Sequence, residues 1–129
     1  MPIVGLGADL VDADRIADLR RRYGARFLRR AFHPEEIRDC LQRPLPDQHL
    51  AARFAAKEAL AKALDCGLFG LGLPDIRVFS EPTGRPKLCV EGRGRRVCEQ
   101  KGADRIHLTI SHEGRMALAV VILEGKGKQ

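Results

Sequence analysis

Two carboxylates and two lysines are the residues in this chain best suited to chemistry. Asp9 closes the segment Ile3-Val-Gly-Leu-Gly-Ala-Asp9, in which Gly5 and Gly7 occupy the alternate positions before it. Aspartate is a poor strand residue, and glycine inside a strand marks a close approach by a ligand or another backbone. The spacing therefore predicts a bare strand face carrying one carboxylate, unless Asp9 only ends the strand and caps the next helix. The second group is Arg53-Phe-Ala-Ala-Lys57-Glu58-Ala-Leu-Ala-Lys62-Ala-Leu64. At about 100° per residue its apolar and alanine positions cover almost the whole circumference, which describes a helix surrounded by protein, so its charges need partners. Glu58 and Lys62 share a face and fit two readings. One is an exposed ion pair that contributes a few tenths of a kcal/mol. In the other, Asp9 and Glu58 are oxygen ligands for one magnesium ion, which usually takes one or two carboxylates, several waters and substrate phosphate oxygens. Lys57 and Lys62 then neutralise the phosphates; two carboxylates alone also suit acid–base work, but the lysines favour a phosphorylated substrate.

Ser111-His112, preceded by Thr109 and followed by a turn, is a weaker constellation. No Gly-x-Ser-x-Gly elbow surrounds Ser111, and adjacent strand residues point to opposite faces, so a serine hydrolase does not fit and both read by themselves as hairpin-end residues. His33, His49 and His107 lack matching ligand or nucleophile partners and read as structural or surface residues. Gly5-Leu-Gly7-Ala-Asp-Leu10 lacks the third glycine of a dinucleotide fingerprint. Arg15, Arg20, Arg21, Arg22, Arg26, Arg29 and Arg30 make one stretch strongly basic. It is either a solvated helix face or a ridge for an acidic partner, since Arg15, Arg22, Arg26 and Arg29 recur near helical spacing.

The elements that must position these residues follow from periodicity. Ile3 to Val11 reads as a strand with Val4, Leu6, Ala8 and Leu10 on the face opposite Gly5, Gly7 and Asp9. Asp12 or Asp14 caps a helix beginning near Arg15 and stopping at Gly24; a short basic helix follows from Arg26 to Phe32. Pro34-Glu35-Glu36 starts a helix to about Gln42, and Pro44 and Pro46 mark a loop. The longest helix should run from Asp47 or Gln48 to about Asp65, ended by Gly67, and form the centre of the fold. Leu73 to Ser80 and Lys87 to Val90 read as strands joined through Glu81-Pro-Thr-Gly-Arg-Pro86. Gly92 to Lys101 is a short helix, and Arg105 to Ser111 with Met116 to Leu123 is a hairpin turning at Glu113-Gly114-Arg115. The expected class is α+β, an antiparallel sheet packed around a long central helix, with a single domain over residues 1–124 and a polar tail over 125–129.

The chain has 129 residues, 44% of them hydrophobic and 31% charged, as an ordinary globular domain has. Its longest apolar run, Met116 to Leu123, falls far short of the ~20 residues of a membrane span. The N-terminus reaches a carboxylate too early for a secretory leader, and the default expectation is a cytoplasmic protein. Cys40, Cys66, Cys89 and Cys98 show no zinc spacing and read as reduced, mostly buried thiols. With 23 lysines and arginines against 17 acids the net charge is +6, which favours an anionic partner. No Trp, one Tyr and five Phe speak against a single-strand nucleic-acid binder. A basic binding protein and a magnesium-dependent phosphohydrolase are the competing classes; steep salt dependence without turnover would mark the first, and hydrolysis of a phosphorylated substrate without any acceptor the second.

Three segments in register carry a resemblance: Ile3-Val-Gly-Leu-Gly-Ala-Asp9-Leu-Val-Asp-Ala-Asp-Arg15-Ile16, then Arg53-Phe-Ala-Ala-Lys57-Glu58-Ala, then Leu108-Thr-Ile-Ser111-His112 with Ala117-Leu-Ala119-Val-Val. Together they resemble the holo-[acyl-carrier-protein] synthases, the small-subunit type of 4′-phosphopantetheinyl transferase. The resemblance implies an enzyme that moves 4′-phosphopantetheine from coenzyme A to a serine of apo acyl carrier protein, releasing adenosine 3′,5′-bisphosphate, in fatty-acid or polyketide synthesis. It implies magnesium on Asp9 and Glu58, phosphate contacts from Lys57 and Lys62, and a nucleotide loop at Gly84-Arg85-Pro86. It also implies a Ser-His strand end at Ser111 and His112, carrier docking on Arg15 with Arg22 and Arg26, and a homotrimer with active sites between subunits.

Overall fold

A computed structural model describes residues 1–128; Gln129, the end of the expected tail, lies outside the described residues. The order is β1 (Ile3–Asp12), α1 (Ala13–Tyr23), α2 (Ala25–Ala31), α3 (Pro34–Leu41), α4 (Pro46–Ala63), β2 (Ile76–Ser80), β3 (Pro86–Val90), α5 (Gly92–Lys101), β4 (Ala103–Glu113) and β5 (Met116–Gly125). β1, β5 and β4 form one antiparallel sheet with β5 in the middle, and β2 and β3 form a separate antiparallel hairpin. The α+β class and the central helix are as the periodicity predicts.

α4 lies across β1 and β5 and has no polar stripe: Leu50, Ala55, Ala59 and Leu60 are all fully buried although they point in different directions. The glycine face of β1 is what meets it. A Cβ added at Gly7 would sit 2.1 Å from the Ala59 carbonyl oxygen, and one at Gly5 would sit 2.2 Å from that of Ala63. The close approach foreseen at Gly5 and Gly7 is therefore the backbone of α4, drawn in by an alanine-rich helix against a side-chain-free strand.

The other face of β1 points out of the chain. Leu6 is 66% exposed and Leu10 57%, and they stand beside Ile122 and Leu118 of β5, with Ala8 beside Val120 between them. The apolar set that binary patterning would place in the core is thus uncovered, because the glycine face has taken α4.

Local chemistry explains the boundaries. Asp12 Oδ1 accepts from the Asp14 amide at 2.8 Å, so α1 opens at Ala13, two residues before the expected start, and Gly24 ends it at φ 54°. His33 caps α3 structurally: its ring nitrogen accepts from the Glu35 amide while its own amide donates to Glu36. α4 starts at Pro46 and stops at Ala63, short of Gly67, because Asp65 adopts the left-handed conformation at φ 54°. Leu73–Asp75 is a 3-10 turn around Pro74, which delays β2 to Ile76. β5 continues to Gly125, whose amide donates to the Pro2 carbonyl at 3.0 Å, so the sheet takes in the first residue expected to belong to the tail.

All four cysteines are free; Cys40 and Cys98 are buried and Cys66 and Cys89 half-buried, with burial pushing the Cys40 thiol up to about 11. No helix among the described residues is long and apolar enough to cross a membrane.

Candidate active site

Where β1 crosses α4, Asp9, Glu58 and Lys62 come together. Lys62 Nζ donates to Asp9 Oδ1 at 2.8 Å and to the Ala8 carbonyl at 3.0 Å. Lys62 thus pairs with the strand carboxylate rather than with Glu58 one turn away. Glu58 instead faces Arg15, whose Nη1 lies 3.6 Å from Glu58 Oε1, too long for a hydrogen bond. Asp9 Oδ2 and Glu58 Oε1 are consequently buried carboxylate oxygens without a hydrogen-bond partner among the described residues. Burial first, and then the neighbouring Asp9, push the Glu58 carboxyl up from 4.5 to about 7, while Asp9 raises the Lys62 ammonium.

Two orphaned carboxylate oxygens side by side fit a divalent cation. Among the described residues no group of three or more His, Cys, Asp or Glu side chains is placed to hold a metal. A protein-only cage of the zinc or calcium type is therefore not built here, whereas magnesium, which completes its shell with water and phosphate oxygens, suits a two-carboxylate site.

Lys57 belongs elsewhere. It is fully buried, with Nζ 2.6 Å from Glu36 Oε1, 2.9 Å from the Ala31 carbonyl and 3.1 Å from that of Leu73. Glu36, equally buried, also accepts from the Val78 amide at 2.9 Å. The lysine ties α2, α3 and the 3-10 turn before β2 to α4, with all three of its protons engaged, and the phosphate contact expected of it is corrected to a structural pair.

Gly84 and Pro86 line a hollow of about 270 Å³ with Arg43, His49, Arg53 and His112. Arg85 lies in the tight turn beside it, where the Glu81 amide donates to its carbonyl at 2.9 Å. The sequence by itself assigns Arg53 no role and marks His49 as structural or surface. Arg53 is buried, held by Asp39 at 2.6 Å and by the His49 carbonyl at 3.3 Å, and its Nε has no partner. The signal available was a guanidinium inside a helix buried all round. Burial, then Arg43 and Arg53, hold the His49 imidazole below its ordinary value, as expected of a pocket with positive potential.

Ser111 and His112 lie near the end of β4 and line a second hollow of about 410 Å³ on the outer sheet face, with Leu10, Met116 and Leu118. His112 borders both hollows. Neither is lined by Asp9, Glu58 or Lys62, so one chain does not gather all the expected site residues into one cavity.

The basic stretch splits as well. Arg15 and Arg26 line a groove of about 520 Å³, with Arg30 on its rim and Leu19, Phe54 and the exposed Phe69 supplying apolar surface. Phe27 and Phe54 of its lining pack against the buried Phe32, with ring centroids 5.8 to 6.4 Å apart. The Arg15 guanidinium sits 5.6 Å from the Phe54 centroid. Arg22 is exposed in the last turn of α1 and does not line this groove.

The antiparallel α+β domain carries a strand aspartate and a helix glutamate where β1 crosses α4. The chain belongs to the 4′-phosphopantetheinyl transferase superfamily, whose sequence profile matches residues 5–121. It is similar to the holo-[acyl-carrier-protein] synthase of Syntrophus aciditrophicus, 44% identical over 123 residues that cover 94% of this chain and 95% of that one. The crystal structure of holo-[acyl-carrier-protein] synthase from Neisseria meningitidis superposes with a TM-score of 0.87 at 35% identity, covering 95% of this chain and 99% of that one. The Helicobacter pylori holo-[acyl-carrier-protein] synthase, solved in complex with coenzyme A, superposes at 0.79 with 29% identity, over 92% and 99% of the two chains. Within the superfamily the chain falls among the holo-[acyl-carrier-protein] synthases.

Proposed function

We propose that the protein transfers the 4′-phosphopantetheine group of coenzyme A to a serine hydroxyl of apo acyl carrier protein, releasing adenosine 3′,5′-bisphosphate, in support of fatty-acid biosynthesis. The observation that carries the reading is the pair of buried, unpartnered oxygens on Asp9 and Glu58 with the Lys62 ammonium beside them. Asp9 and Glu58 hold magnesium. When bound, that ion lowers the negative charge of the coenzyme A pyrophosphate and so makes its phosphorus open to attack. The serine oxygen, giving up its hydroxyl proton to water, forms a bond to the phosphorus that bears the pantetheine; the bond to the bridging oxygen breaks, and the electron pair leaves with the bisphosphate. Lys62, displaced from Asp9, donates to phosphate oxygens and stabilises charge on the leaving group. Gly84, Arg85 and Pro86 lie along the nucleotide, with Ser111 and His112 at its phosphate end.

Arg15 and Arg26, with Arg22 further out, receive the acidic carrier, and the Phe54–Phe69 groove takes an apolar side chain from it. The working unit is a homotrimer. Two facts support that: the outer sheet face exposes Leu6, Leu10 and Leu118, and neither hollow at His112 is lined by the carboxylates, as expected where a neighbouring subunit brings both halves to one substrate. Four free thiols suit the reducing cytoplasm.

The test is the intact mass of an apo acyl carrier protein after incubation with the protein, coenzyme A and magnesium, beside a reaction with chelator and one without carrier. A magnesium-dependent gain of one phosphopantetheine group is expected. Coenzyme A cleavage in the carrier-free tube would replace this reading with a phosphohydrolase. Asp9→Ala and Glu58→Ala should each abolish the mass gain while circular dichroism stays native; retained transfer in either removes the assignment.

A further inference from the structure

Arg15 stands between the two parts of the proposed site. Its Nη1 is the cationic neighbour of Glu58 Oε1 at 3.6 Å, and its guanidinium lies over Phe54 in the wall of the groove that Arg26 and Arg30 also line. The side chain is 55% exposed, and among the described residues no carbonyl or carboxylate accepts from it within hydrogen-bond distance, so no hydrogen bond locks it in place. Lys62, the other cation at the carboxylates, does not border the groove.

Resting on the reading of Asp9 and Glu58 as cation ligands and of the groove as the carrier's, we infer that Arg15 couples the two binding events, serving Glu58 as counter-ion while the cation is absent and the carrier's acidic side chains once it is bound. A divalent cation on Glu58 places like charge beside the guanidinium, removes its partner and leaves the groove as its favourable direction. An acidic segment in the groove draws Arg15 off Glu58 and frees Oε1 for the cation. Each ligand therefore tightens the other, and linkage requires the two factors to be equal. For a half-exposed ion pair the factor should be roughly three- to tenfold. The order that results, cation before carrier, keeps the basic groove from holding acidic proteins when the site is not ready to react.

The test measures binding without turnover. Apo acyl carrier protein is titrated into the full-length protein by calorimetry without coenzyme A, with and without Mg²⁺ at constant ionic strength, and Mg²⁺ is titrated with and without carrier and into carrier alone. The wild type should bind carrier three- to tenfold more tightly with Mg²⁺, and Mg²⁺ by the same factor with carrier. In Arg15→Gln, Mg²⁺ alone should bind more tightly than in the wild type, carrier more weakly, and the factor should fall to about one. Arg26→Gln should weaken carrier binding yet keep the factor, and Glu58→Gln should bind carrier as the magnesium-loaded wild type does, with or without Mg²⁺. Coupling that persists in Arg15→Gln, or weaker Mg²⁺ binding in it, overturns the inference, the latter because Arg15 would then be positioning Glu58. A wild type that binds both ligands independently overturns the coupling alone; one that binds neither overturns the functional reading and the coupling with it.

Discussion

Lys57 and Lys62 illustrate how far single residues are legible. Five positions on a helix turn through about 140° beyond a full circle, so the two lysines face different surroundings. Helical arithmetic already separates them, yet only the packing of α3 and β2 supplies Glu36 as the partner of Lys57. Removing one member of a fully buried pair leaves the other charge unpaired, so Lys57→Met should cost about 3–5 kcal/mol, read as a lowered midpoint in urea. Glu58 gives a pH dependence. Its folded value of about 7 lies above the ordinary 4.5, so the protonated form is the one the fold prefers. That stability is fully present below the unfolded pKa and is lost as pH rises through the folded one. The melting temperature of the metal-free protein should therefore fall as pH rises from about 4.5 to about 7, and Glu58→Gln should flatten that slope. A slope unchanged in the variant would assign it to other groups. Arg53 and His49 were missed because their site depends on β2 and β3 folding back over the start of α4.

At the scale of elements, the helices were placed well and their ends less well. Proline at the start of α3, aspartate before α1 and glycine after it act through local backbone chemistry, so Asp12, Gly24 and Pro34 mark boundaries in the chain itself. α4 ends short of Gly67 because a non-glycine residue, Asp65, takes the left-handed position. The Gly5–Gly7 face was recognised as a place of close approach, but whether a ligand or a helix approaches is a long-range matter. With the answer known, Gly7→Ala becomes a sharp test. Its methyl would lie 2.1 Å from a backbone oxygen that cannot move without shifting α4. The variant should lose about 1–3 kcal/mol or more, and because Asp9 is carried on the same strand, its magnesium affinity should drop too. A variant of full stability would mean that β1 and α4 sit further apart than described.

On the scale of the whole molecule, the outer face of the β1–β5–β4 sheet is the feature that one chain leaves unfinished. Leu6, Leu10 and Leu118 form an apolar column with His107, Thr109 and Ser111 of β4 along one side. Leu10→Asp would put a charge in the middle of it. If this face joins subunits, sedimentation should show the variant as monomer where the wild type is a trimer, and transfer should fail even though the Asp9–Glu58 pair is intact. A variant that remains trimeric would move the interface to another surface.

By itself the sequence determined which residues are worth attention and much of the local structure. Asp9 after alternating glycines, Glu58 and Lys62 one turn apart, the caps and the hairpin turn all depend on neighbours within a few positions, and short-range spacing encodes them directly. The family followed from three such segments in register. Only the tertiary structure decided which partner each charge takes: Lys62 with Asp9, Arg15 with Glu58, Lys57 with Glu36. It also decided which face of β1 is buried. Periodicity shows that a strand has two faces but not which one meets a helix, and here the glycine face wins because an alanine-rich helix can come close only where no side chain intervenes.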